Sequence, residues 1–312
     1  MVQVDLITGF LGAGKTTFLR RYVRYLVAQG HNVCILENDF GAVNVDAMLV
    51  QDLLGPNCDL ETISGGCDCD THQRRMRTKL IAMAMRGFDR VVVEPSGIFD
   101  VDEFFDVLRD DPLDRWYHIG NVIAIVDAML PETLSPQAEY VLASETANAG
   151  RVLVSRTQLA GQQQTAAAVA HLTRALEGCK CSRPFAPEEI ITKDWARLTD
   201  ADLAAIAACG CRQASCEKLH FDEHEAFSSL CFLEQHLTLQ QLQAAADHLF
   251  ADAACGHVLR VKGFAPDPQG TTGWLELNAT AAGRTLEPIP QGQDVLIVIG
   301  EGLDKAAIVA RL

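Results

Sequence analysis

Basic residues are scarce in this sequence of 312 residues. It has 26 Lys and Arg against 41 Asp and Glu, which gives a formal net charge of −15. Phosphate backbones are bound through clusters of Lys and Arg, and no cluster of the needed size is present. The short basic run at Arg74, Arg75, Arg77 and Lys79 is typical of a solvated helix face. We therefore expect no nucleic-acid partner.

Long apolar runs and leader features are also lacking. No stretch approaches the roughly 18 apolar residues that a membrane span needs. The first residues, MVQVDLITGF, contain no basic region followed by an apolar stretch and a cleavage site. We therefore expect a soluble, cytoplasmic protein without a membrane partner. Because 48% of the residues are hydrophobic and the chain is longer than one compact domain usually is, two domains are expected.

The first part of the chain alternates short β-branched runs with segments of helical length. This alternation predicts an α/β fold, with right-handed βαβ units on a mainly parallel sheet. From 179 to 217 the periodicity weakens, and the remainder mixes strands and helices as in a small α+β domain with an antiparallel sheet. We predict a nucleotide-binding domain over 1–200, a Cys-containing linker over 201–219 and a C-terminal domain over 220–312.

The segment Gly9 to Thr16, GFLGAGKT, satisfies the P-loop pattern GxxxxGK[ST] between a predicted strand and a predicted helix. The glycines let backbone N–H groups converge on phosphate oxygens at the helix N-terminus. Lys15 then supplies a positive charge to the β- and γ-phosphates, and the Thr16 hydroxyl ligates Mg²⁺. The nucleotide contacts predicted here are Gly9, Gly12, Ala13, Gly14, Lys15, Thr16 and Thr17.

A further oxygen ligand for Mg²⁺ is expected from a strand end, because Mg²⁺ takes one or two protein oxygens. Asp39 follows NVCILEN, and Glu94 ends RVVVE. Glu94 with Gly97 resembles the second phosphate-side motif of P-loop enzymes, in which the glycine N–H senses the γ-phosphate. We predict Lys15, Asp39 and Glu94 as catalytic residues. The alternatives are a helix cap for Glu94 and a turn residue for Asp39.

Five motifs occur in the order GFLGAGKTT, ENDFG, ISGGCDCD, VVVEPSG and VIAIVDA. In this order they resemble the CobW-like metallochaperone GTPases, and GHVLRVKGF and VLIVIGEGLD look like the small C-terminal domain of that family. The resemblance implies a P-loop NTPase that uses GTP to deliver Zn²⁺ or Co²⁺. Its partner would be a client metalloprotein or a cofactor-assembly protein, and a nucleotide-dependent homodimer is compatible with it.

The metal motif departs from that family. The family pattern is Cys-x-Cys-Cys, whereas this chain reads Cys67-Asp68-Cys69-Asp70, so a carboxylate replaces the third thiolate. Two thiolates with oxygen ligands can still form a tetrahedral site, with selectivity moved toward harder ions. We predict the transition-metal ligands Glu37, Cys67, Cys69 and Asp70. The alternative is two ordinary loop thiols on a glycine turn.

The motif that reads the guanine base also departs from the family pattern. The family's guanine-reading Asn/Ser-Lys-x-Asp aligns with Ser155, Arg156, Thr157 and Gln158. A carboxylate accepts from both guanine N1–H and N2–H, but the Gln158 amide offers one acceptor and turns a donor toward the second position. We predict base contacts from Ser155, Arg156 and Gln158, with the Arg156 stem over the base as lysine would lie.

Two other groups of metal-binding residue types are left open. Cys179, Cys181, Cys209, Cys211 and Cys216 either collect a soft metal or are inert reduced thiols. His220 and His224 either relay a metal or carry linker charge.

Two functions rival metal delivery. One is a nucleotide sensor or scaffold without efficient hydrolysis. The other is an ATP-using cofactor activator built around the clustered cysteines, which would show an ATP preference or an iron–sulfur absorption band.

The glutamine at 158 generates a test of base selectivity. Leaving one guanine donor unpaired costs about 1–3 kcal/mol, or roughly one to two orders of magnitude in discrimination. We therefore expect GTP to be favoured over ATP by much less than about a thousandfold in nucleotide titrations of the purified protein. A full thousandfold preference for GTP would refute this expectation.

Overall fold

The computed structural model describes residues 1–39, 46–64, 69–97, 101–214, 216–217, 226–268, 270, 273–289 and 292–312. At 38–39, 46–47, 64, 69–72 and 103 it describes the backbone alone. Two compact units separate within these ranges, one up to Glu217 and the other from Ala226 onward. None of the helices in these ranges has both the length and the apolar composition needed to cross a membrane.

The first unit is the predicted parallel sheet flanked by helices. Its strands are β1 (Val2–Thr8), β2 (Val33–Asp39), β3 (Cys58–Ser64), β4 (Arg90–Pro95), β5 (Tyr117–Asp127), β6 (Arg151–Ser155) and β7 (Ile190–Ile191). Its helices are α1 (Lys15–Ala28), α2 (Asp46–Leu49), α3 (Cys69–Ala84), α4 (Val101–Arg109), α5 (Leu113–Trp116), α6 (Pro136–Ala147), α7 (Thr157–Gly178) and α8 (Asp200–Ile206). The strand order is β3-β2-β4-β1-β5-β6-β7, and every pairing is parallel. The fold predicted for this part of the chain is confirmed.

Helix α1 forms one side of the main core. Its residues Phe18, Leu19 and Tyr22 are fully buried in a cluster to which six strands contribute. The buried strand residues in this cluster are Ile7, Val33, Ile35, Cys58, Val92, Ile123, Ile125 and Leu153. Alternate residues of a strand share a face, so these apolar side chains form continuous rows under the helix.

One carboxylate lies inside this core. Asp5 of β1 is fully buried, and its two oxygens accept hydrogen bonds from Gln3, Tyr22, Arg90 and Asn121 at 2.8–2.9 Å. A buried charge is tolerated only when paired and hydrogen bonded, and these donors meet that condition. Burial, followed by the nearby charge of Asp5, raises the pKa of Tyr22 well above its ordinary value.

The described part of the segment predicted as a linker packs within the first unit. Leu203 and Ile206 of α8 join the core under α1. The Gly210 N–H donates to the Asn121 side chain at 2.8 Å, and its carbonyl accepts from Val122 N–H at 3.1 Å. Residues 201–214 therefore extend the nucleotide-binding unit, because an apolar helix face and backbone hydrogen bonds attach them to β5.

The second unit is the predicted antiparallel sheet with helices. Its strands are β8 (Ser228–Leu233), β9 (His257–Pro266), β10 (Trp274–Thr280), β11 (Gly283–Ile289) and β12 (Val295–Glu301), in the order β11-β10-β9-β12-β8. Its helices are α9 (Leu239–Ala251) and α10 (Lys305–Val309). Leu242 of α9 packs over Gly263 of β9, where a Cβ would come within 2.7 Å of the leucine side chain. The absence of that Cβ lets the helix approach the sheet.

The buried Asp5 yields a stability prediction. In Asp5→Ala, the Arg90 guanidinium and the Asn121 and Tyr22 donors lose their shared acceptor. We expect the free energy of unfolding, measured by urea titration, to fall by about 3–5 kcal/mol. Asp106→Ala is the matched control, since that exposed carboxylate pairs only with Arg109 at 3.5 Å and its loss should cost within about 0.5 kcal/mol. Equal effects of the two substitutions would contradict the role given to Asp5.

Candidate nucleotide site

The strand rows that face α1 change from apolar to polar at the carboxyl edge of the sheet. Two residues beyond the core positions Ile35, Val92, Ile125 and Leu153 stand Glu37, Glu94, Asp127 and Ser155, respectively. All four polar residues are buried. Glu37 is the register partner of Glu94, and Asp127 is that of Ser155. Parallel sheets bind ligands at this edge, so the polar ends of the rows mark the candidate site.

The loop between β1 and α1 turns tightly at the same edge. Gly9 has a φ of 140°, and a Cβ there would lie 2.3 Å from the Ile125 carbonyl oxygen. Gly12 and Gly14 also have positive φ values, of 74° and 101°. These backbone angles place the loop of Gly9, Gly12, Ala13 and Gly14 directly before the N-terminus of α1, where backbone N–H groups point outward from the helix.

The side chains that begin α1 differ in exposure. Lys15 is buried, and its Nζ donates to the Gly9 carbonyl at 2.7 Å. The Thr16 hydroxyl donates to Glu94 Oε1 at 2.8 Å, which joins the start of α1 to the end of β4. Thr17 is exposed. The structure therefore brings three predicted residues, Lys15, Thr16 and Glu94, to one point of the sheet edge.

Gly97 contacts the P-loop from the end of β4. A Cβ at this position would lie 2.7 Å from Leu11 N and 2.9 Å from Lys15 Nζ. Real Cβ atoms do not approach a backbone nitrogen so closely, so a glycine is required for this packing. The predicted phosphate-sensing residue is thus next to the ammonium group predicted to contact the same phosphates.

Arg156 joins the base side of the site to the P-loop. Its guanidinium forms an ion pair with Asp127 and donates to the Gly12 carbonyl at 3.0 Å. Burial raises the pKa of Asp127, and the charge of Arg156 opposes that rise. The Arg156 stem was predicted to lie over the base, and Asp127 is not among the site residues predicted from sequence. The available signal was the position of Asp127 at the end of an apolar strand.

Gln158 lines a cavity of about 510 Å³ between the first turn of α7 and the segment after β7. The other lining residues include Thr157, Thr192, Asp194 and Arg197. Helix α7 is interrupted at Gly161, whose φ and ψ are 70° and 177°, so its first turn stands apart from the rest.

Trp195 connects this cavity to the phosphate loop. Its ring lies 3.6 Å from the position a Cβ would take on Gly14, and it packs edge-on against Phe18 at 5.4 Å between ring centroids. Ser155 also lies against Gly14, at 3.8 Å from the same position. Thr192, Asp194 and Trp195 are not among the predicted site residues, because the two-residue strand β7 that precedes them gives almost no strand signal in the sequence.

Several predicted metal ligands lie outside the part of the chain that the structure describes. Cys67 lies outside the described residues, as do the side chains of Asp39, Cys69 and Asp70, and both His220 and His224. Glu37 is the described member of the predicted transition-metal group. Among residues that the structure describes, no three His, Cys, Asp or Glu side chains are arranged to hold a metal ion.

Comparison with known proteins gives a family match over most of the first unit. The model of the CobW/HypB/UreG nucleotide-binding domain matches residues 3–183. The chain belongs to this family. It is 31% identical to the zinc chaperone YjiA of Escherichia coli (strain K12) over 173 residues, which is 52% of each chain.

Two other relatives are similar over shorter shares of their length. The zinc chaperone YeiR of the same organism is 30% identical over 131 residues, covering 42% of this chain and 39% of YeiR. Zinc-regulated GTPase metalloprotein activator 1 of Schizosaccharomyces pombe (strain 972) is 26% identical over 164 residues, covering 51% and 39%. The chain therefore matches about half or less of the length of these relatives.

Solved structures of the family superpose weakly. Zn(II)-bound YjiA GTPase from E. coli gives a TM-score of 0.38 at 22% identity, covering 99% of this chain and 97% of that one. HypB from Helicobacter pylori in complex with nickel gives 0.41 at 15% identity, covering 66% and 84%. The family membership rests on the sequence match, and the fold rests on the strand order described above.

The close packing of Gly97 yields a test of the phosphate site. In Gly97→Ala the added methyl group would displace Leu11 and the Lys15 ammonium group from their positions next to residue 97, at a cost of about 1–3 kcal/mol. We expect the affinity for nucleoside triphosphates, measured with a fluorescent analogue, to fall at least about tenfold. Gly55→Ala is the control, because a Cβ there meets nothing within 4 Å. Unchanged affinity in a folded Gly97→Ala protein would remove Gly97 from the site.

Proposed function

We propose that this protein binds and hydrolyses Mg²⁺-GTP and couples that cycle to delivery of Zn²⁺ or Co²⁺ to a client metalloprotein or cofactor-assembly protein. The observation that carries the proposal is that Glu37 of β2 and Glu94 of β4 are register partners on adjacent strands. One of these carboxylates was predicted to hold the delivered metal and the other the Mg²⁺ of the nucleotide. Membership of a family that contains zinc chaperones supports the same function.

The nucleotide half of the proposal uses the start of α1 and the end of β4. Lys15 places a positive charge near the β- and γ-phosphates, and the N–H of Gly97 contacts the γ-phosphate. The Thr16 hydroxyl and the Glu94 carboxylate supply oxygen ligands of the kind that Mg²⁺ prefers, with Asp39 as a further carboxylate. When bound, Mg²⁺ neutralises the charge that develops on the phosphates. Glu94 also orients the attacking water.

The delivery half uses Glu37 with Cys67, Cys69 and Asp70. Glu37 is buried beside Glu94, so a change of charge at the nucleotide changes the electrostatic potential at Glu37. Electrostatic interactions are strong where water is excluded, and adjacent sheet positions are only about 5 Å apart. A change of charge at the phosphates therefore alters the cost of holding a cation at Glu37. This interaction provides the coupling between nucleotide state and metal affinity.

Base recognition uses the first turn of α7 and the segment 192–197. Arg156 holds the P-loop and Asp127 together, while Gln158 lines the adjacent cavity. The amide of Gln158 pairs less completely with guanine than a carboxylate does, so the proposed substrate is GTP with reduced discrimination against ATP.

The decisive experiment measures Zn²⁺ affinity with and without Mg²⁺-GTP on anaerobically purified protein. Coupling between two sites is reciprocal and typically amounts to about five- to 150-fold. We expect a change of at least about fivefold in wild type and none in Glu37→Gln, since the neutral amide no longer holds the cation beside Glu94. Glu132→Gln, an exposed position, is the matched control and should behave as wild type.

Two further outcomes separate the parts of the proposal. Cys67→Ser/Cys69→Ser should lose bound Zn²⁺ and Co²⁺ in metal analysis, and unchanged metal content would eliminate that site. A protein that binds GTP but releases no phosphate with any metal would be a nucleotide sensor instead of a GTPase.

A further inference from the structure

Three cysteines converge at the C-terminal end of α7. Cys179 directly follows the helix, and Cys181 is fixed two residues later by a hydrogen bond from its N–H to the Leu176 carbonyl at 2.9 Å. The chain returns to the same place at Cys216, because Glu217 N–H donates to the Cys179 carbonyl at 2.8 Å. Lys180 and Glu217 add an ion pair beside this backbone contact. Cys181 and Cys216, which are 35 positions apart in sequence, thus lie on neighbouring segments of the fold.

The side chains of Cys181 and Cys216 face each other, and Cys181 Sγ also donates a hydrogen bond to the Arg183 carbonyl at 3.7 Å. Burial raises the pKa of Cys216, and the proximity of Cys181, Cys179 and Asp102 raises it further. Both thiols are only partly buried, so a small oxidant can reach them.

Other charged groups face the cluster from the neighbouring helices. Glu139 of α6 raises the pKa of Cys179, after burial and Cys181, and it also contacts His171 Nε2 at 2.6 Å. The described residues offer no arrangement of three ligands that would make the cluster a metal site. What the geometry supplies instead is two thiols on neighbouring segments that the hydrogen bond from Glu217 N–H to the Cys179 carbonyl holds together, as a disulfide between them requires.

We propose that Cys181 and Cys216 form a reversible disulfide when the protein meets a hydroperoxide, so that the pair is an oxidative modification site. The Cys181 thiolate attacks the peroxide O–O bond, which breaks to give a Cys181 sulfenic acid and hydroxide or an alkoxide. The Cys216 sulfur then attacks the Cys181 sulfur, and the S–O bond breaks. Water leaves with the Cys216 proton. The two thiols have together supplied the two electrons that reduce the peroxide.

The disulfide would change the mobility of one wall of a cavity. Residues Cys211, Gln213 and Ala214 line a cavity of about 770 Å³ together with Asp102 and Arg109 of α4. These wall residues lie two to five positions before Cys216 in the chain. Oxidation would fasten their segment covalently to the end of α7, and reduction would release it.

Three other described cysteines are poorer candidates for the attack on the peroxide. Burial raises the pKa of Cys34 to about 12, of Cys58 to about 11 and of Cys209 to about 12. Each of these thiols is thereby kept protonated and unreactive. Cys231 is partly buried and belongs to the second unit, which makes it a suitable control.

The test treats the full-length reduced protein with hydrogen peroxide, blocks free thiols with an alkylating reagent and maps peptides by mass without reduction. We expect a peptide pair joined through Cys181 and Cys216, which disappears after dithiothreitol. Cys181→Ser and Cys216→Ser should each abolish it, whereas Cys231→Ser should retain it. Recovery of both residues as alkylated free thiols from oxidised wild type, or joined to other cysteines, would overturn the proposal.

A thermal measurement guards against misfolded variants. A disulfide restricts the unfolded chain, so oxidation should raise the unfolding temperature of wild type and of Cys231→Ser, reversibly. The same treatment should leave the two other serine variants unchanged. This result depends on neither nucleotide nor metal, so its failure is distinct from a failure of the proposed function.

Discussion

Alternation along the strands under α1 is the constraint on which this site depends. A period of two places every second side chain against the same helix, so the positions that build the core also lead directly to the carboxyl edge. Core packing therefore determines where Glu37, Glu94, Asp127 and Ser155 project. A shift of one residue in any strand would turn its polar end to the other face of the sheet. The same strand register consequently determines both the packing of the core and the positions of the site residues.

The interactions at that edge link segments that are distant in sequence. Glu94 and Thr16 connect β4 to α1, and Arg156 connects α7 to both Asp127 and the P-loop carbonyl of Gly12. Arginine suits the second role because its planar guanidinium presents several donors at once, whereas lysine offers a single ammonium group. Where the family pattern has lysine, this chain thus has an ion pair between Arg156 and Asp127. The end of β5 and the P-loop are held together through this one side chain.

The predictable part of the structure is the part with strong local signals. Apolar runs such as RVVVEP and the glycine pattern of the P-loop identified the buried strands and the phosphate loop, because their signal is contained in a few consecutive residues. β3, CDLETIS, was missed because four of its seven residues are polar, and β11, GRTLEPI, because it combines three polar residues with a glycine and a proline. Residues 201–214 were taken as linker, since the attachment of Gly210 to Asn121 spans 89 positions and has no local signature.

The same distinction holds within the site. Lys15, Thr16 and Glu94 follow from motifs, and the structure brings them together. Trp195 is placed by packing against Phe18, a contact between residues 177 positions apart that no sequence period encodes.

The interruption of α7 at Gly161 makes the first turn of this helix a separable element. A regular helix keeps one direction along its whole length, but the φ and ψ of Gly161 are not helical. Residues 157–160 therefore do not have to share the direction of residues 162–178. Such an interruption lets the side chains of the first turn, with Gln158 at the adjacent cavity, vary independently of the longer helix that follows.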